Sequence, residues 1–257
     1  MKKLILLFMI VISSFAFGAK KLYVGTNAEF KPYEYLEGNK LVGFDIELME
    51  AVAKEMGYDV HWVNMGFDGL LPALQMKKVD AVIAGMSQTP ERKKAVEFSI
   101  PYMSKVKGEH YVIVNENSTM TKKEELKGKK VGVQIGTIQE EFTLALGGIP
   151  QLYNAWTGAL MDLQQNKISG VIIADVSAEA YLKNMTGLKK IDVVIDGQPG
   201  ASIAFRKGET ELAEAASKAI LKLQDNGEYL KILEKYFPEK VEEFLTLQKN
   251  KGNYSAI

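Results

Sequence analysis

The 257-residue chain contains no cysteine. Disulfides and thiolate metal sites are therefore excluded. His61 and His110 are the only histidines, so an imidazole-rich zinc site is not expected either. No metal or cofactor is called for. Charge of one sign is equally scarce: 32 Lys and Arg stand against 32 Asp and Glu, so nothing points to a nucleic acid or an anionic membrane as partner. Beyond the first residues no run is long and apolar enough to span a bilayer, and membrane insertion is not expected. What is present is globular in character. With 47% hydrophobic and 25% charged residues, the chain can fill one large core or two modest ones.

The N-terminus carries the clearest local signal. Lys2 and Lys3 precede an apolar run from Leu4 to Phe17, which ends in Ala16-Phe17-Gly18. A basic start, about 14 apolar residues and a small-x-small ending describe a secretory signal peptide. The expectation is a cleaved leader over residues 1–18, cut near Gly18–Ala19. With no cysteine at the cut, a lipid anchor there is excluded, and the product is expected to be free in a periplasm. Removing Lys2 and Lys3 leaves 30 basic side chains against 32 acidic ones.

From Leu22 the pattern alternates. Leu22–Gly25 reads as a buried strand, Asn27–Gly38 as a loop holding Pro32, and Phe44–Met56 as a helix with an apolar face at Leu48, Met49, Val52, Ala53 and Met56. Val60–Val63 reads as a strand, Gly69–Lys77 as a helix and Ala81–Ala84 as a short buried strand. Such alternation predicts parallel sheet in a layered α/β fold. The pattern then restarts. Leu126-Lys-Gly-Lys-Lys feeds a strand over Val131–Ile135, and a helix opens at Gln139. Leu74-Gln-Met-Lys-Lys-Val-Asp-Ala-Val-Ile echoes Leu163-Gln-Gln-Asn-Lys-Ile-Ser-Gly-Val-Ile, which predicts two similar αβ lobes. A strand over Ser202–Phe205 and two helical stripes (Leu212 to Leu223, Tyr229 to Phe237) remain to be placed. They fit a chain that leaves the first lobe, builds the second and returns. The predicted bounds are 19–105 with 201–240 for lobe 1 and 106–200 for lobe 2. The hinge crossings fall near 104–108 and 197–202, and the tail is 241–257.

Gly43-Phe-Asp-Ile-Glu-Leu reads as a helix start whose acids complement the helix dipole, so Asp45 and Glu47 are not expected to touch a ligand. From Gly85 to Arg92 a buried strand ends, Ser87 offers a hydroxyl, and Thr89-Pro90-Glu91 reads as N-cap and first turn. Exposed N–H groups at such a place attract anions, and Arg92 adds a planar fork that suits a carboxylate. The same residues serve equally as a plain helix cap beside a solvated Arg.

Taken in order, these strings resemble a known family. Gly43-Phe-Asp-Ile-Glu-Leu, Phe67-Asp-Gly-Leu-Leu-Pro-Ala-Leu, Val79-Asp-Ala-Val-Ile-Ala-Gly-Met-Ser, Thr89-Pro-Glu-Arg, Phe98-Ser-Ile-Pro-Tyr and Leu126-Lys-Gly-Lys-Lys-Val-Gly-Val are similar to the bacterial extracellular solute-binding proteins that serve polar amino acid uptake. The resemblance runs from Leu22 to Pro238. It implies a type II periplasmic binding protein fold whose lobes close on a free amino acid, with arginine or lysine as first guesses. It also implies a membrane permease of the ABC type as partner, and a monomer. Gly85, Met86, Ser87 and Arg92 would hold the ligand's α-carboxylate and part of its ammonium, and Thr137, after Gly136, would reach the carboxylate from lobe 2. Phe30 and Phe67 would sandwich the side chain, with Asn27 approaching it and Glu29 a weaker candidate. Trp156 would line the rim of lobe 2 or pack there. One position departs from the family: its usual ammonium-pairing Asp is Ala174 here, with Asp175 next, and Asp175 is the candidate for that role.

Two other classes share features with this sequence. An enzyme of the dehydratase type on the same fold needs a tuned acid–base group, and no motif pairs His with a carboxylate. Ser87 has no nucleophile-elbow context. A ligand-binding partner of a separate sensory receptor is the remaining alternative.

Overall fold

The computed structural model describes residues 19–104, 108–198 and 200–249. The expected signal peptide, parts of both expected crossings and the last residues of the tail lie outside them. The first lobe opens with β1 (Lys20–Thr26), then β2 (Glu29–Phe30), β3 (Glu34–Glu37), β4 (Lys40–Val42), α1 (Phe44–Glu55), β5 (Tyr58–Asn64), α2 (Phe67–Gln75), β6 (Ala81–Val82), α3 (Pro90–Ala95), β7 (Val96–Phe98) and β8 (Met103–Ser104). The second comprises β9 (Gly108–Asn115), β10 (Lys130–Gln134), α4 (Ile138–Ala145), β11 (Ile149–Tyr153), α5 (Trp156–Gln164), β12 (Gly170–Ala174), α6 (Asp175–Leu182) and β13 (Leu188–Asp196). The chain then returns through β14 (Gly200–Ala201), β15 (Ala204–Arg206), α7 (Thr210–Asn226), α8 (Glu228–Tyr236) and α9 (Val241–Lys249).

Two five-stranded sheets result, ordered β5-β1-β6-β15-β7 and β11-β10-β12-β9-β13. The expectation of parallel sheet holds for β5, β1 and β6, and for β11, β10 and β12. It fails for the strands by which the chain changes lobes. β15 runs antiparallel to β6 and β7, and β9 antiparallel to β12 and β13, because a chain arriving from the neighbouring lobe enters the sheet from the opposite end. β8 and β14 pair as a two-stranded ribbon, Met103 opposite Ala201. The loop expected at Asn27–Gly38 instead folds as the small antiparallel sheet β2-β3-β4.

Each sheet buries both faces. In the first lobe Leu22, Val24, Ile83, Ile203 and Phe205 pack under α1, α7 and α8, while Leu70, Leu74, Val82 and Met86 fill the side beneath α2. In the second, Trp156, Leu160 and Ile173 form one core and Val112, Val131 and Ile172 the other. Burying a side chain of this size contributes about 1.5–3 kcal/mol, which explains why the strands read as near-continuous apolar runs.

The echo between the lobes has a conformational counterpart. Lys77 and Asn166, the fourth residues of the two matching strings, are the described non-glycine residues with positive φ, at 60° and 57°. At each, the turn after α2 or α5 closes by the same pair of bonds: Lys77 N to Leu74 O and Lys78 N to Ala73 O, Asn166 N to Leu163 O and Lys167 N to Asp162 O. This is a left-handed helix stop built twice.

Candidate functional site

Strands β1, β6, β10 and β12 end at one level, and the loops that follow them face each other across a cleft. Ligands in open α/β sheets bind outside the carboxyl ends of such strands. Lobe 1 lines this cleft with Asn27, Phe30, Glu34, Phe67, Ala84, Gly85, Ser87 and Arg92. Lobe 2 supplies His110, Gln134, Thr137, Ile138, Gln139, Trp156 and Ala174. The lobes touch. Gln134 Nε2 donates to Asn27 Oδ1 at 2.8 Å, Arg92 Nη2 to the Gly136 carbonyl at 3.1 Å, and Ser177 Oγ to the Lys31 carbonyl at 2.9 Å. The arrangement is therefore closed.

Arg92 is held on three sides. Thr89 caps α3, its Oγ1 accepting from Arg92 N at 3.3 Å. Nη1 donates to the Ser87 carbonyl at 3.0 Å, and the guanidinium lies 5.3 Å from the centre of the Phe67 ring. A guanidinium over a ring face is attracted by the ring quadrupole, more so where water is excluded. Burial pulls the Arg92 pKa down to about 10, partly offset by Glu141 and Asp196, so it stays charged at neutral pH. Gly85 sits beside it at φ 55°, and a Cβ there would stand 2.5 Å from the Phe30 ring. Only glycine allows both the turn and the contact.

The cleft also holds Glu34, which no sequence motif singles out. It opens β3, is fully buried and lines the cleft. Burial, then the charge of Asp45, pushes its carboxyl well above the usual range. The charges acting on Arg92 are Glu141 and Asp196, whereas the one acting on Glu34 is Asp45. Guanidinium and carboxyl line the same cleft.

Of the residues anticipated from sequence, Asn27, Phe30, Phe67, Gly85, Ser87, Arg92 and Thr137 line the cleft. Met86 is not in the lining: its side chain packs in the core with Leu70 and Leu74. Asp175 is not in it either. Ala174, the last residue of β12, faces the cleft, whereas Asp175 starts α6, half-buried. Glu29 is also absent from the lining. Asp45 lies behind the cleft wall, taking hydrogen bonds from Gly85 N at 2.8 Å and Tyr102 Oη at 2.6 Å. Glu47 bonds Lys235 and Tyr236 on the outer side.

Trp156 lines the cleft while almost fully buried. His110 is the other lining residue with acid–base potential. Its Nδ1 meets Gln139 Nε2 at 3.0 Å, its Nε2 lies 3.6 Å from Asp196 Oδ2, and the ring packs edge-on against Phe142. It is tied into lobe 2. Among the described residues no group of three or more His, Asp or Glu could hold a metal ion, and no helix is long and apolar enough to cross a membrane.

Two α/β lobes closing on a cleft with a clamped arginine define a solute-binding protein. The chain belongs to the bacterial extracellular solute-binding proteins, family 3, which match residues 22–239. It is 40% identical over 227 residues to the arginine-binding extracellular protein ArtP of Bacillus subtilis, covering 86% of this chain and 87% of that one. It is 35% identical to a probable histidine-binding protein of Campylobacter jejuni, over 84% of each. Among solved structures, an ancestral arginine-binding protein bound to arginine superposes with a TM-score of 0.78 at 39% identity, covering 86% of this chain and 99% of that one.

Proposed function

We propose that the chain is the substrate-binding component of an ABC-type amino acid importer, taking a free cationic L-amino acid, arginine first, and passing it to a membrane permease. The observation that carries the cationic reading is Glu34, a fully buried carboxyl on the cleft wall that pairs with no basic side chain among the described residues. An isolated buried carboxylate is costly, and a ligand cation offsets that cost. Arg92 takes the ligand's α-carboxylate, aided by Gly85, Ser87 and Thr137, and Phe30 and Phe67 enclose the side-chain stem beside Asn27. With Ala174 on the wall, the α-ammonium rests on Ser87 and backbone carbonyls. The names of the relatives support the same ligand class.

On this reading the ligand leaves unchanged, and the His110 cluster has no catalytic duty. The protein works as a monomer in the periplasm after loss of residues 1–18 and carries no lipid anchor. Its hinge crosses near 104–108 and 197–202. The test is calorimetry with L-arginine, L-lysine and the neutral isostere L-citrulline on wild type and Glu34→Gln. Arginine should bind tightest to wild type and lose at least about tenfold, about 1.4 kcal/mol, in the variant. Tighter binding of citrulline, or an unchanged arginine affinity in Glu34→Gln, would overturn the assignment.

A further inference from the structure

Glu34 and Asp45 are both fully buried, and the backbone fixes them side by side. The N-terminus of α1 is tied to the segment that leads into β3: Phe44 N donates to the Pro32 carbonyl and Asp45 N to that of Tyr33. Asp45 Oδ2 already accepts from Gly85 N and Tyr102 Oη, while its Oδ1 and both oxygens of Glu34 meet no N–H donor and no hydroxyl. The partner left to each carboxyl is the other. The titratable groups beside them are Tyr33, Tyr102 and Tyr229, with Asp175 acting on Tyr33 and with Arg92 and His110 elsewhere on the cleft lining. Burial raises all three phenols, so they stay neutral and supply no cation. Two carboxylates confined this way cannot both ionise, and one proton shared between them forms a short O–H···O⁻ bond. Asp45, with two donors, takes the charge, and Glu34 takes the proton.

We propose that Glu34 and Asp45 hold one proton between them while no cationic group faces Glu34, and that a cationic ligand side chain expels it to solvent. Asp45, which touches no ligand, thereby becomes a positioning residue that sets the choice between cationic and neutral side chains. The inference rests on the reading of Glu34 given above. The balance is simple: one cation enters the carboxyl site and one proton leaves. A neutral side chain with a carbonyl, such as the ureido group of citrulline, accepts from protonated Glu34 instead and releases nothing. Acid therefore favours neutral ligands over cationic ones.

The test has two arms on the mature protein. In the first, carbon-13 NMR reads the Glu34 carboxyl without ligand at about pH 6, near the value of about 6 to which burial pushes Asp45. A neutral carboxyl is expected, and an ionised one overturns the proposal whatever the ligand is. In the second, calorimetry in two buffers of different ionisation enthalpy counts protons. About one should be released per L-arginine and close to none per L-citrulline. In Asp45→Asn, which keeps an acceptor for Gly85 N, release should fall without vanishing, since burial alone still raises Glu34, while arginine still binds. Undiminished release in that variant overturns the part given to Asp45. A neutral Glu34 in a protein that ignores arginine would support the shared proton and sink the functional reading instead.

Discussion

Replacing Arg92 by Ala removes four things at once: the fork proposed to take the ligand carboxylate, the bond from Nη2 to the Gly136 carbonyl of the other lobe at 3.1 Å, the bond from Nη1 to the Ser87 carbonyl at 3.0 Å, and the contact with the Phe67 ring at 5.3 Å. The first dominates. A ligand carboxylate left unpaired in a closed, poorly hydrated cleft costs about 2–5 kcal/mol, which is roughly 30-fold to several thousandfold in Kd. The cross-lobe bond adds to this by weakening closure. Without ligand the loss should be small, about 1 kcal/mol or less, because Arg92 is only part-buried by its neighbours and bonds carbonyls that water can serve. Arg92→Lys keeps the charge but not the planar pair of donors, so it should fall between wild type and Ala. Calorimetry with L-arginine gives the affinities, and a denaturant titration without ligand confirms that the variants fold. A folded Arg92→Ala protein that binds within about threefold of wild type would refute the clamp.

Three further outcomes follow from the geometry. Gln134→Ala removes the 2.8 Å bond across the lobes to Asn27; arginine affinity should drop by about 1 kcal/mol, and small-angle scattering should show compaction only at higher ligand concentration, an unchanged titration counting against the latch. Lys77→Gly relieves a left-handed lysine at φ 60° and should raise stability by about 1 kcal/mol, with Asn166→Gly gaining less because Asn tolerates that conformation; denaturant midpoints decide it. Burial raises Asp45 from 3.8 to about 6 and Glu34 well above 4.5, so the folded state binds these protons more tightly than the unfolded chain. The Asp45 contribution is fully present below about pH 4 and lost as pH rises through about 6, roughly 2–3 kcal/mol, and that of Glu34 is lost at higher pH still. The double variant Glu34→Gln, Asp45→Asn should flatten that decline in denaturant titrations across the range.

Much of this was legible in the residues, and the exceptions share a cause. The helix at Phe44 and the strands around Val24, Val133 and Ile172 are local patterns reinforced by burial, so periodicity reveals them, and the echoing strings at Leu74 and Leu163 reveal the repeat. The clamp from Gly85 to Arg92 is also contiguous in sequence. Glu34 is different. It sits in a short polar-looking stretch, and it is buried among cleft residues far apart in sequence, such as Phe67, Gln134 and Trp156. Asp45 looked like a dipole-complementing acid, but tertiary contact turns it inward to Gly85. His110 and Gln139 were missed because they meet only once β9 runs antiparallel into the second sheet, a direction set by the lobe crossing. At the end of β12 it is Ala174 and not its neighbour Asp175 that lines the cleft: adjacency in sequence at a strand end does not mean a shared face.

The order of strands in the first sheet has a consequence for biogenesis. The second lobe's sheet is drawn from one continuous stretch, β9 to β13, whereas β15 inserts between β6 and β7, and the core over α1 needs Ala216, Ile220, Leu233 and Phe237 from α7 to the end of α8 and just beyond. As the chain emerges, the second lobe can complete itself while the first still shows two open strand edges and an uncovered apolar face. Such edges are templates for wrong pairing. The wall bearing Glu34 and Arg92 is thus the last to set, so ligand cannot template the early steps, and a chain truncated before β15 should be kept from aggregating only by a chaperone that covers that gap.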